Sequence, residues 1–560
     1  MSEAAEKHAL VLIQSGTVPG DLKSLSSYIA HFQQCAADPS LSPDHQFNAS
    51  LLWLLTAREH NDPTLLLAYQ HIASTFDQLA LLGFDLWARQ RILDRLPTDL
   101  AISAARCAIQ HNRLELAVSL LDKCRGLSWR QMLRTLPSTD EIDHLAESYP
   151  ELGVPLRGYL RALHIGSMSN RAKSNRSQEI TQQEIDAHLE IAREAASLIA
   201  QVRNSVPGYE DFMNSDPIKH ARTLAQAAPV VVLVPDTAST YIVVLRKGDV
   251  DFEYKCVEGL GTEVLQDMVK KIKDAISASG RLARGPDAEE AGGLYNNVND
   301  VSSEAPTERK FAPKPFKRSD ETTQDELNHL LSTLWSTIGI AMKDLLSLQA
   351  KSLNHTIPLR VLAISQPNTP GQNPLPAAKT EVEIIQKYVP SNQLLVAQHE
   401  KGNKASILSG SWIYSQDRPL VLHCACHARQ DLLDPLSSSI YLYDGEVKLS
   451  QLLGQRNKMG FLAVMSACET AMGDTFRPDE ALHIGAALNY LQGFQSVIAT
   501  VWAMHDKDGP ALAEVVYKGL FSSRTEGRAD PAALLRLAVN GMRRDGAPLV
   551  RWVPFVHYGF

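Results

Sequence analysis

Four short runs in the C-terminal half, 359–365 (LRVLAIS), 420–426 (LVLHCAC), 460–467 (GFLAVMSA) and 496–501 (SVIATV), are apolar along nearly their whole length and not merely at alternate positions. A strand that is apolar on both sides has to be covered on both sides. The arrangement that achieves this is a parallel sheet with crossover helices on its two faces. The segment 327–348 carries a helical pattern ahead of these runs. The C-terminal part is therefore expected to be α/β, a mostly parallel sheet flanked by helices, with any site outside the carboxyl ends of its strands.

The N-terminal part follows a different period. From about residue 49 to 203 apolar residues recur at helical spacing and strand-like alternation is absent. Residues 51–72 (LLWLLTAREHNDPTLLLAYQHI) place Ala57 before an Asn61-Asp62-Pro63 break, after which Leu65, Leu66, Ala68 and Tyr69 resume an apolar face. Residues 101–124 repeat the scheme, with small side chains at Ala104, Ala105 and Ala108, a turn at His111-Asn112, and Ala117 in the returning helix. Small residues at a helix crossing, a polar turn and a second amphipathic helix make a tetratricopeptide-like unit. The two units, however, lie about 50 residues apart against the roughly 34 of that repeat, and a generic helical domain is an equally open reading.

Composition changes near Ala228. Residues 229–257 (PVVVLVPDTASTYIVVLRKGDVDFEYKCV) alternate apolar and polar side chains, with turn signals at Pro235-Asp236 and Lys247-Gly248-Asp249, as antiparallel hairpins require. A helix is expected over 262–279. Residues 281–321 lose their apolar side chains to Gly, Pro, Asn, Ser and charges, a composition that reads as a flexible insertion open to proteolytic nicking. The expected division is a helical repeat domain over 1–226 and a second domain over 227–560.

Composition narrows the function. A formal charge of −8, with no cluster of Lys and Arg interleaved with aromatics, gives no footprint for nucleic acid. No apolar run approaches the roughly 20 residues of a spanning helix, and the N-terminus lacks the apolar core of a secretory signal. Seven cysteines without regular spacing fit a reducing compartment, so a cytoplasmic location is expected.

Two of the strand ends carry chemistry. One run leads into His427 and Ala428, the next into Ser466-Ala467-Cys468-Glu469-Thr470. If the two strands are neighbours, an imidazole and a thiol emerge at the same edge. A thiol is mostly protonated at neutral pH, so a nucleophilic cysteine needs an adjacent base, and the leaving amine needs a proton that the imidazolium can return. The backbone amides of Cys468 and Ala428 are the candidate oxyanion donors.

These segments, VLHCACHARQDLLDPLSSSIYLYDG, FLAVMSACETAMGD, PDEALHIGAALNYLQGFQSVIATVWAMHD and the closing WVPFVHYGF, together with Leu375 to Val382, resemble the CHAT family of caspase-like cysteine peptidases, relatives of separase, over about 229–560. The resemblance implies a caspase-like fold and a Cys-His dyad at His427 and Cys468. It also implies helical repeats that hold a regulator or substrate, and a protein substrate such as a gasdermin-like pore-forming effector of cell death. It calls for no cofactor. One departure is Ala428, where the family usually carries Gly. If that position needs φ > 0, Ala is strained there, and a catalytically inactive scaffold that only binds proteins stands as the alternative.

Blander readings apply to the remaining polar residues. His423, Cys424, Cys426 and His427 cannot all reach one zinc ion from a straight strand, because side chains alternate between faces. Cys424 and Cys426 read as buried thiols, and Cys35, Cys107, Cys124 and Cys256 as packing residues. His483 and His505 read as helix and loop residues. Asp474, Asp479 and Glu480 are candidates for a substrate pocket, although Pro478-Asp479 equally starts a helix. Arg477 opposes an acidic pocket, so the residue preferred before the cut stays open.

Overall fold

In the computed structural model the described residues are 25–82, 95–127, 140–174, 182–278, 332, 358–472, 483–521 and 530–559, apart from 39, 42, 214, 215, 227, 228, 250, 416, 432–434, 453–456, 458 and 491. The expected insertion at 281–321 and the expected helix at 327–348 lie outside them, except for residue 332. By its internal contacts the chain divides into one unit over Met1–Gly261 (with 476–480) and a second over the remainder.

The first unit contains helices α1 (Leu25–Ala37), α2 (Pro43–Glu59), α3 (Leu65–Leu82), α4 (Leu100–Gln110), α5 (Leu114–Cys124), α6 (Asp140–Ser148), α7 (Pro150–Ser174), α8 (Gln182–Ser205) and α9 (Pro217–Ala225). Neighbours in sequence pack on one another, α1 on α2, α2 on α3, α4 on α5 and α7 on α8. The two turns read from the sequence are made by residues in the left-handed region, Asn61 (φ 49°) and Asn112 (φ 56°), a conformation asparagine tolerates better than most side chains. Ala57, Ala104, Ala105 and Ala108 are fully buried, so the backbones approach closely at the crossings.

Strands β1 (Val230–Pro235), β2 (Ser239–Leu245) and β3 (Glu253–Glu258) form the expected antiparallel meander. It belongs to the first unit, so the division falls after Gly261 and not at the expected 226. The physical reason is a shared core: Val234, Val243, Leu245 and Phe252 are buried in the same cluster as the side chains of α1 to α5. Arg106 of α4 also pairs with Asp236 at 3.2 Å, with both side chains mostly buried.

The second unit opens with α10 (Thr262–Ala278) and is built on a six-stranded sheet. Its strands are β4 (Arg360–Ser365), β5 (Leu394–Gln398), β6 (Leu420–Ala425), β10 (Gly460–Ser466), β11 (Ser496–Thr500) and β12 (Phe555–Gly559). They run in the order β12-β11-β10-β6-β4-β5, all parallel except β12. The four apolar runs are the four central strands, and every residue of β4, β6, β10 and β11 is buried. Helices α11 (Ala377–Tyr388), α13 (Asp508–Phe521) and α14 (Pro531–Arg544) close one face, through Ile385, Val516, Tyr517 and Leu534. The other face is closed by α12 (Ile484–Tyr490), the short helices Lys404–Leu408 and Ser411–Tyr414, and a small antiparallel sheet of β7 (His427–Arg429), β8 (Ser439–Leu442) and β9 (Gly445–Lys448). The expected architecture, a helical region followed by a mostly parallel sheet flanked by helices, is the one found.

Candidate active site

From β4 the chain moves to β5 on one side, and from β6 to β10 and β11 on the other, so the winding reverses between β4 and β6. Loops after strands on either side of such a point separate and leave a crevice at the carboxyl ends. The loop after β4 contains Asn373, and β6 runs out into His427.

His427 follows β6 by two residues and starts β7, paired with Tyr441. It is half-buried, and its Nε2 lies 2.7 Å from the Asn373 carbonyl oxygen. A carbonyl can only accept, so Nε2 carries a hydrogen. In the neutral ring the lone pair is then on Nδ1, which is the nitrogen able to take a proton. The sequence singled out His427 but gave no sign of this carbonyl.

Cys468 follows β10 by two residues and is partly exposed. β6 and β10 are adjacent and parallel, with Ser466 opposite Ala425. His427 and Cys468 therefore leave neighbouring strand ends at equal distance along the chain from a paired position.

The turn that follows β10 is tightly held. Thr500, the last residue of β11, donates its hydroxyl to the Ala467 carbonyl at 2.6 Å, and its N–H to Thr470 Oγ1 at 3.1 Å. Ala471 N–H bonds the Thr500 carbonyl at 2.7 Å, and Gly485 N–H at the start of α12 bonds the Thr470 carbonyl at 2.7 Å. Glu469, next to Cys468, is 3% exposed and sits at φ 57°. A glutamate in the left-handed region stores backbone strain, which persists only where the surroundings over-determine it.

Behind the two strand ends lies a polar cluster that sequence reasoning missed. Glu381 of α11, 2% exposed, faces His423 Nε2 at 3.1 Å through one carboxylate oxygen and accepts the Ser466 hydroxyl at 3.0 Å on the other. The Tyr517 ring stands edge-on to His423 with centroids 5.6 Å apart. A lone Glu inside a helical pattern such as AAKTEVEIIQKY carries no signal that it points inward; only the pairing partners reveal it.

Ala428 lies in β7 opposite Ile440, and its φ is not in the left-handed region. The strain expected for Ala in place of Gly is therefore absent. Cys424 and Cys426 are buried in the core on the α12 face, and burial pushes the Cys424 thiol up to about 12 and Cys426 well above its ordinary value. His423 turns to the opposite face, toward Glu381, and His427 belongs to a different sheet from β6. His483 precedes α12, where its Nδ1 accepts Ala486 N–H at 3.0 Å, and His505 accepts Lys507 N–H at 3.2 Å. Cys107 and Cys124 are buried in the first unit, and Cys35 and Cys256 are partly exposed. Asp474, Asp479 and Glu480 lie outside the described residues. Among the described residues no group of three or more His, Cys, Asp or Glu is arranged to hold a metal ion, and no helix is long and apolar enough to cross a membrane.

Comparison with known proteins bears on the second unit. Two similar solved structures are of the Saccharomyces cerevisiae separase–securin complex. One, at 2.6 Å resolution, shares 10% identity with a TM-score of 0.35 and covers 100% of this chain and 53% of that one. The other, at 3.0 Å resolution, shares 9% identity with a TM-score of 0.34 and covers 100% and 52%. The chain thus spans about half the length of those chains. No curated protein matches it in sequence. Residues 315–560 match the family model described as the CHAT domain.

Proposed function

We propose that the protein is a cysteine endopeptidase that cuts specific protein substrates with Cys468 as nucleophile and His427 as base. The observation that carries this reading is the register of β6 and β10, which sets Ser466 opposite Ala425 and sends both residues off adjacent strand ends. His427 Nδ1 takes the thiol proton, and the sulfur forms a bond to the scissile carbonyl carbon while the π electrons move to oxygen. The Cys468 and Ala428 amides are the proposed donors to that oxyanion. Collapse breaks the C–N bond, and the imidazolium gives its proton to the departing amine. Water then cleaves the thioester, with His427 accepting its proton and the thiol re-forming.

The paired helices of the first unit are the proposed seat of a regulator or substrate. A gasdermin-like pore-forming protein is the substrate that the CHAT resemblance implies, and a cell-death response the setting. Seven free thiols suit a reducing compartment, and we place the reaction in the cytoplasm. The alternative is an inactive scaffold, suggested by Ala428 where the family usually has Gly; the absence of a positive φ at Ala428 favours the active reading.

The test is covalent labelling by a peptide carrying a thiol-directed electrophile, compared with Cys468→Ala and His427→Ala. Labelling that is lost in the first and slowed in the second supports the assignment; labelling unchanged by Cys468→Ala ends it.

A further inference from the structure

We propose that Glu381 and Ser466 are positioning residues: one buried carboxylate on α11 draws His423 of β6 and Ser466 of β10 together and so fixes the relative height of the two strand ends that carry His427 and Cys468. This rests on the nucleophile reading of Cys468. The geometry is specific to those two strands. Glu381 spends one oxygen on each, His423 at 3.1 Å and the Ser466 hydroxyl at 3.0 Å. His423 lies four residues before His427, and Ser466 two before Cys468.

The cluster is packed from all sides. Gly509, in the first turn of α13, has no room for a side chain: a Cβ there would come within 2.3 Å of Glu381 Oε1 and 2.7 Å of Ser466 Oγ. The helix backbone thus presses on the carboxylate, with the positive end of the α13 dipole nearby. Stability alone does not account for the arrangement. His423 Nδ1 and the Tyr517 hydroxyl are buried without a hydrogen-bond partner, and a partly satisfied buried polar cluster is commonly no more stabilising than apolar side chains of the same volume. What the cluster supplies is a fixed distance between two strands.

A control lies one strand away. Ser365 of β4 is fully buried and donates to the Ala378 carbonyl of the same helix α11 at 3.0 Å, but β4 carries neither dyad residue. The full chain carrying Ser466→Ala is compared with Ser365→Ala and the unaltered protein. The readouts are the thermal midpoint and the pH dependence of Cys468 carbamidomethylation by iodoacetamide, followed by peptide mass spectrometry. Both substitutions remove one buried hydroxyl bond to α11 and lower the midpoint to a similar extent. Only Ser466→Ala is expected to slow Cys468 labelling at pH 7, by about fivefold, and to move its half-maximal labelling to higher pH. Glu381→Gln keeps the side-chain shape but replaces one of the two acceptor oxygens with an NH2 group, which cannot accept from His423 or Ser466. It is the second variant if Ser466→Ala fails to fold, and it is expected to alter the same profile. An unaltered Cys468 profile in whichever of these variants folds overturns the proposal, as does an equal shift in Ser365→Ala. Should Cys468 of the unaltered protein label only as a common thiol does, above about pH 8, the nucleophile reading itself fails, and the positioning role with it.

Discussion

Ser466 pairs with Ala425 across the parallel strands β10 and β6, and each is followed two residues later by a member of the proposed dyad. Equal offsets from one paired position mean that the same strand rise carries both side chains out of the sheet. If this juxtaposition is the engine of the reaction, His427→Ala lowers the rate of peptide hydrolysis by about 10² to 10⁴. The thermal midpoint should barely move, because His427 is half-buried and bonded only to a loop carbonyl. Rate and melting temperature measured on one preparation check both halves of the expectation.

Thr500→Val removes the hydroxyl that bonds the Ala467 carbonyl, the one preceding Cys468, at 2.6 Å. The carbonyl keeps the longer bond from Thr470 Oγ1 at 3.4 Å, so the loss is that of one hydrogen bond, about 0.5–1.5 kcal/mol. Denaturant unfolding should show this loss. Electrophile labelling of Cys468 should slow as well, because the turn beginning at Ala467 is held by this bond.

The layout of the sheet was legible because burial on both faces leaves an unbroken apolar run, and β4, β6, β10 and β11 each end within a residue of the runs that revealed them. β5 (LLVAQ), at the sheet edge, and β12 (FVHYG), held by one neighbour, are short and mixed in polarity, so periodicity did not separate them from loop. The β1–β3 meander was read correctly as hairpins and assigned to the wrong neighbour. Alternation reports that one face is covered but not by what, and here helix side chains cover it. At the candidate site, Cys468 and His427 stand out in the sequence because the proposed chemistry restricts residue type. The Asn373 carbonyl does not, since a backbone oxygen leaves no mark on the side chain that bears it.

Ala428→Gly tests whether the residue after the proposed base is limiting. Ala428 sits in β7 with φ outside the left-handed region, so glycine relieves no strain and only adds unfolded-state freedom. The expected outcome is a loss of about 0.5–1 kcal/mol with no gain in hydrolysis. A variant several times more active than the parent would show that the alanine does hinder the oxyanion donor.

Gly509→Ala places a methyl group against Glu381 Oε1 and Ser466 Oγ, at 2.3 and 2.7 Å from where those atoms now lie. Both are buried and hydrogen-bonded to each other, so something must shift, and overpacking of this kind costs about 1–3 kcal/mol. Chemical denaturation measures the cost. Gly541, on α14 with nothing within 4 Å of a built Cβ, is the matched position where alanine is expected to be neutral or stabilising.

His483 sets an acid limit on the fold around the turn that carries Cys468. Its ring is 1% exposed, and burial pushes it down to about 4, an effect partly opposed by a hydrogen bond with the Thr470 backbone. The folded protein therefore keeps this imidazole neutral where the unfolded chain, with an ordinary value near 6.5, takes up a proton. Since the unfolded state binds more protons in that interval, stability is complete above about pH 6.5 and falls as the pH drops toward 4, by roughly 3 kcal/mol from this group. Protonation takes the Nδ1 lone pair that accepts Ala486 N–H at the start of α12, whereas the bond to the Thr470 backbone favours the charged ring. His483→Asn keeps an acceptor at the start of α12 without a titrating group. Melting temperatures between pH 7 and pH 4.5 should decline less steeply in this variant than in the parent; equal slopes would assign the acid sensitivity to other residues.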